Sequence, residues 1–110
     1  MIIGTATTLI VGIICIILGA LNMRGNISSI HSYHRSKVTD ENILPFGKLM
    51  GIGTVIIGTG VILIGIGILL SELLKNEIYS LLGIPLLFIS ILAGFIICVH
   101  AMKKYNGGIF

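Results

Sequence analysis

Hydrophobic and polar positions fall in long blocks along this chain. Asp, Glu, Lys and Arg are absent from residues 1–23, between Lys48 and Glu72, and between Glu77 and Lys103. Each charge-free block holds 23 to 25 residues, and a helix needs about 20 to cross a hydrocarbon core of about 30 Å. The pattern predicts an all-α fold: an integral membrane bundle of three transmembrane helices at roughly 2–22, 49–70 and 81–102. The helices run up-down-up and form one membrane domain, 1–110. They leave a polar loop at 24–48, a short link at 71–80 and a tail at 103–110. Pro85 is expected within the first turns of the third helix, where a missing N–H is best tolerated.

Within the second block the glycines recur every seven residues, as Gly51, Gly58, Gly65 and as Gly53, Gly60, Gly67. At about 100° per residue the two sets lie about 200° apart on one helix. Glycine inside a helix in water costs about 1 kcal/mol relative to alanine. In a bilayer it lets backbones approach closely, so the six are candidate helix-packing residues. The second helix is therefore expected to be central, with a neighbour on each face. The flanking spans carry single small-residue stripes: Gly4, Thr8, Gly12 and Gly19 in the first, Gly83, Ser90, Gly94 and Ala101 in the third. The same stripes serve equally for self-association into a homo-oligomer. Gly58 or Gly60 replaced by leucine should disturb packing, with Ile62→Leu as a silent control.

Composition reinforces the membrane reading. The 110 residues are 55% hydrophobic and only 10% charged, against about a quarter charged in soluble domains, and mean hydropathy is +1.13. The first span lacks the basic leader and small-residue cleavage site of a signal peptide, so it is expected to be retained. Six of the seven basic residues (Arg24, Arg35, Lys37, Lys48, Lys103 and Lys104) fall on one side of the three spans, and Lys75 alone on the other. The positive-inside rule then puts the N-terminus outside and the C-terminus in the cytoplasm of a cell (inner) membrane. Cys15 and Cys98 lie inside spans without metal-type spacing and read as small packing residues.

Candidate chemistry is confined to the 24–48 loop, longer than a bundle of this size needs for a turn. Thr39 and Asn42 are candidate caps for a helix starting near residue 42, with Asp40 and Glu41 suited to its first turn. Ile27, Ile30 and His34 have the spacing of a short interfacial helix. Arg24, His31, His34, Arg35, Lys37 and Lys48 are the candidate membrane-surface or partner residues, basic groups there meeting lipid phosphates. A bare H-x-x-H, even with His100, falls short of a metal site, so no metal or cofactor is expected. The basic group is too sparse and too poor in aromatics, Tyr33 apart, for nucleic acid. No nucleophile–base pair, Walker motif or HExxH is present, so no enzyme is expected. No charge sits mid-span, where ion and proton pathways place one. The mid-span hydroxyls Thr5, Thr7, Thr8, Thr54, Thr59 and Ser90 can bond the preceding turn. Small multidrug exporters have about this length, but with four spans and an essential glutamate in the first.

The order LGALNMRGN, SSIHSYHRSKVTDENI and GKLMGIG, across roughly residues 17–70, resembles small three-span bacterial membrane proteins of an uncharacterised family. It is loosely similar to the Sdp-type toxin-immunity proteins, with Arg35, Thr39, Glu41 and Gly47 at the matching positions. The expectation is a non-enzymatic protein that acts by helix contact in the bilayer through its glycine faces, with the 24–48 loop as a docking or signalling surface; the resemblance implies that it protects against a membrane-active toxin or peptide. A holin-like pore-former, or a small accessory subunit of a larger membrane complex, is the alternative expectation.

Overall fold

The computed structural model describes residues 2–28, 30 and 32–108. They form a rod about 52 Å long and 18–20 Å across, with no strand among the described residues. The long helices are α1 (Ile2–Met23), α3 (Ile43–Leu73) and α4 (Ile78–Tyr105), and a single turn, α2 (Ser32–Arg35), lies between the first two. All three long helices are apolar and long enough to cross a membrane. The chain is thus a three-helix bundle built as a multi-pass membrane protein.

α3 lies in the middle. It packs along α1 on one side and along α4 on the other. Its 31 residues span about 46 Å at 1.5 Å each, more than the hydrocarbon core requires. The surplus lies at the start, where Phe46 is fully buried. There the connection between α1 and α3, shorter than the expected 24–48 loop because α3 already begins at Ile43, folds under the bundle. Ile30, Phe46, Met50, Ala101 and Met102 form a small core, with Ile27, Val38, Leu49, Val99 and Tyr105 packed on it. The Phe46 and Tyr105 rings meet edge to face at 6.5 Å between centroids.

Three local expectations need correction. Neither the Thr39 nor the Asn42 side chain caps a helix. A 3-10 turn over Asp40–Asn42 leads into α3 instead, with the Asn42 N–H donating to the Thr39 carbonyl at 2.9 Å. The expected helix through Ile27, Ile30 and His34 is reduced to α2: Ile27 and Ile30 lie in a turn, the Ile30 N–H donating to the Ile27 carbonyl at 3.0 Å. Pro85 lies inside α4 rather than in its first turns, because α4 begins at Ile78. A bilayer helix tolerates such a proline without ending.

The ends of α1 and α3 differ in chemistry but share a left-handed closing residue. After α1, the Asn26 N–H donates to Leu21 O and the Gly25 N–H to Asn22 O, each at 3.0 Å. Gly25 takes the left-handed conformation there (φ 96°), as a Schellman ending requires. After α3, the Asn76 N–H donates to Ser71 O at 3.0 Å, and the left-handed residue is Lys75 (φ 53°). Residues 74–77 then turn the chain into α4. The Ser80 hydroxyl and N–H both donate to the Ser71 hydroxyl oxygen, at 2.7 and 2.8 Å, and tie the hairpin closed.

Candidate contact faces and polar end

The six heptad glycines point in two directions. A Cβ on Gly51 would strike the Gly19 carbonyl and Met23, one on Gly58 would lie 2.9 Å from Gly12 O and from Cys15 Cβ, and one on Gly65 would strike Thr8. That set faces α1. A Cβ on Gly53 would lie 2.7 Å from Gly94 O and 2.6 Å from Cys98 Sγ, one on Gly60 would strike Ser90, and one on Gly67 would lie 2.6 Å from Tyr79 O. That set faces α4. Several contacts are reciprocal: a Cβ on Gly12 would lie 2.9 Å from Gly58 O, and one on Gly19 would lie 2.8 Å from Gly51 O. The glycine hydrogen in each such position points at a carbonyl across the seam. These are weak Cα–H···O contacts that recur where helices approach closely.

The α1 seam has a further member. A Cβ on Gly47 would strike the Asn22 carbonyl, so the face runs Gly47, Gly51, Gly58, Gly65. Gly4 does not belong to it: nothing lies within 4 Å of its Cβ position, and Thr5 is buried in its place. Ile62 also needs reassignment. Its side chain lies against Gly12, so it belongs to the α1 seam and cannot serve as a silent control. Ile66, 41% exposed, takes that part.

The hydroxyls inside the spans are mostly bonded within their own helices. Thr7 donates to Ile3 O, Thr8 to Gly4 O and Thr5 O, Thr54 to Met50 O, Thr59 to Val55 O and Ser90 to Leu86 O, all at 2.7–3.0 Å. Thr5 differs, its Oγ1 being buried without a hydrogen-bond partner.

The candidate loop residues separate into groups. Arg24 and Lys48 are exposed where α1 ends and α3 begins. Arg35 Nε donates to Ile30 O at 2.8 Å and holds the turn around α2. Lys37 is carried across to the end of α4, its N–H donating to Asn106 Oδ1 at 2.7 Å. His34 is half-buried and His100 exposed; His31 lies outside the described residues. Among the described residues no group of three or more His, Cys, Asp or Glu is placed to hold a metal ion.

Asn106 is the residue that reading the sequence missed. It is fully buried, and its Nδ2 donates to Gly108 O at 3.1 Å while its Oδ1 holds the loop. The available signal was the run Asn106-Gly107-Gly108 after the last turn of α4, a common ending for a helix. Asn22, also buried at 3% exposure, stands likewise just before the turn that ends α1. Compared with protein-family models, curated proteins and solved structures, the chain has no significant match.

Proposed function

We propose that this chain is a non-enzymatic protein of a bacterial inner membrane that acts through helix contacts in the bilayer. Its concrete role is immunity, protecting the cell against a membrane-active toxin or peptide. Both glycine faces of α3 are filled by the chain's own helices, so contact with a partner falls to the outer faces of the bundle rather than to the glycine faces. The mid-span hydroxyls are largely spent on their own helices, so the surface offered to other molecules in the bilayer is aliphatic and aromatic. On α4 that surface forms a shallow apolar groove between Phe88, Ile89, Ile91, Leu92 and Phe95. An apolar helix is recognised there by shape, because lipid tails remove any hydrophobic preference for protein over bilayer.

The orientation that goes with this role has the N-terminus outside and the loop and tail in the cytoplasm. It is supported by the six basic residues gathered at the end of the bundle that holds the 24–48 loop.

The test is a challenge assay. Cells expressing the chain are exposed to a toxin encoded beside its gene, with and without Phe88→Ala and Phe95→Ala. Survival that depends on the chain and falls in the two variants, at equal membrane levels, is the expected outcome. Equal killing with and without the chain sinks the immunity role. Collapse of the membrane potential on induction alone replaces it with pore formation.

A further inference from the structure

The polar end of the bundle gathers cations from segments far apart in sequence. Asn106 is the tie, since its buried amide holds the Lys37 backbone at one oxygen and closes the tail through Gly108. Lys37 is thereby set beside the end of α4, its Cδ lying 3.8 Å from the Cβ position of Gly107. The last turn of α4 contributes Lys103 and Lys104. All three lysines are exposed, and among the described residues none is engaged by a carboxylate. The Lys104 ammonium lies 5.4 Å from the centroid of the Tyr105 ring. Asp40 and Glu41 are the acidic residues at this end, exposed on the 3-10 turn. The opposite end reverses the balance, with Lys75 between Glu72 and Glu77.

We propose that Lys37, Lys103 and Lys104, assembled by Asn106, form a binding site for the headgroups of anionic phospholipids. The position is suited to it. Lys103 and Lys104 end the apolar helix α4 and Lys37 is held beside that end, the position at which a helix that crosses a bilayer meets lipid phosphates. Exposed lysines at that depth attract an anionic surface, and the attraction is screened by salt. The site depends on the bundle spanning a bilayer and is independent of the immunity role. A chain that fails the toxin challenge still binds anionic lipid, and loss of lipid selectivity leaves protection to be judged separately.

The experiment uses the full chain, purified from mixed micelles containing equal phosphatidylglycerol and phosphatidylcholine, with the retained lipid measured. The wild type is expected to retain the anionic lipid with at least about fivefold preference at low salt, the ratio equivalent to one basic residue near an anionic surface. The preference should fall toward unity at high salt. The triple variant Lys37→Gln, Lys103→Gln, Lys104→Gln should lose it, and Lys75→Gln at the opposite end should not. Asn106→Ala should match Lys37→Gln alone, because releasing the tie removes one cation from the cluster; Lys37→Gln gives that reading even where Asn106→Ala fails to fold. Full preference in the triple variant, or equal loss from Lys75→Gln, overturns the site. Inorganic phosphate at millimolar concentration is the other arm: displacement of the lipid by free phosphate at constant ionic strength assigns the cluster to a soluble anion and overturns the lipid assignment.

Discussion

The two seams of α3 use the same residue for different purposes. Along α1 two of the three heptad glycines meet glycines, backbone against backbone, at Gly58 with Gly12 and at Gly51 with Gly19, and Gly65 meets the Thr8 side chain. Along α4 the match of glycine with glycine occurs at Gly53 with Gly94, after which Gly60 meets a serine side chain and Gly67 the backbone of Tyr79. The connections differ in the same sense. α4 is tied to α3 by a hairpin of residues 74–77 and the Ser71–Ser80 pair, whereas α1 is joined through the long polar loop. A short connection keeps its helices together at small entropic cost, and a long one does so less strongly. The α1 seam therefore depends more on close approach than the α4 seam does.

The strongest way to break this comparison is to widen each seam in turn. Gly58→Leu forces a branched side chain against Gly12 O and Cys15 Cβ, and overpacking of this kind costs about 3 kcal/mol. Thermal unfolding in detergent should show a large loss, with Ile66→Leu close to wild type. The two cysteines report which seam opens, because Cys15 lies beside Gly58 and Cys98 beside Gly53. Alkylation of Cys15 should accelerate in Gly58→Leu while Cys98 is unaffected. Gly53→Leu should do the reverse, with a smaller loss of stability because the hairpin still holds α4. Equal losses in the two variants would remove the distinction between the connections.

A gentler pair sharpens the contrast between backbone and side-chain contact. The Gly60 Cβ position is blocked by Ser90 alone, the next atom being Leu87 Cα at 3.7 Å. Gly60→Ala should cost about 1–2 kcal/mol, and adding Ser90→Gly should recover most of it. Gly58→Ala has no such rescue, because Gly12 O belongs to the backbone. Melting temperatures of the two single variants and the double variant decide the matter; no recovery in the double variant would mean that Gly60 is blocked by more than Ser90.

How much of this could be read from the sequence follows from the range of the interactions. Seven residues are nearly two helical turns, so the glycine faces are local facts visible in a string of letters. The three spans are visible for the same reason. The offset from Gly4 to Thr5 was not, because it depends on how α1 runs against the far end of α3. The caps expected at Thr39 and Asn42 gave way to a backbone hydrogen bond within a 3-10 turn, which makes no demand on side chains. The polar end was the least legible. Ile27, Ile30 and Val38 have the composition of an interfacial segment, yet they pack on Phe46 and Ala101. Asn106 acquires its role by meeting Lys37, 69 residues earlier, and no local pattern announces that meeting.

Two threonines on α1 separate useful from idle polarity within one seam. Thr8 donates to two carbonyls of its own helix and touches Gly65, whereas the buried hydroxyl of Thr5 has no partner. Valine has nearly the same shape as threonine. Replacing a buried, unpaired hydroxyl removes a desolvation penalty of about 1–3 kcal/mol, set against the small loss of any transient bond. Thr5→Val should therefore leave stability unchanged or raise it by about 1 kcal/mol, while Thr8→Val lowers it. A clear loss in Thr5→Val would show that its hydroxyl is bonded in the folded protein.

A last contrast concerns how the two seams end. Gly25 closes α1 and Lys75 closes α3, each left-handed and followed by a residue whose N–H donates to the carbonyl five positions back, yet only glycine adopts the left-handed conformation without strain. Lys75→Gly should relieve that strain and stabilise the hairpin by about 0.5–1 kcal/mol, less whatever the more flexible unfolded chain takes back. Gly25→Lys makes the opposite change at the start of the long loop, with Leu44 Cδ2 3.1 Å from the new Cβ, and should cost at least about 1 kcal/mol. Measured by thermal unfolding in detergent, opposite signs for the two variants would show that α3 leads into α4 through a turn held in shape by its neighbours. Destabilisation by both would mean that Lys75 contributes through its side chain on the outer surface, between Glu72 and Glu77, and that the α4 seam rests on charge as well as on glycine.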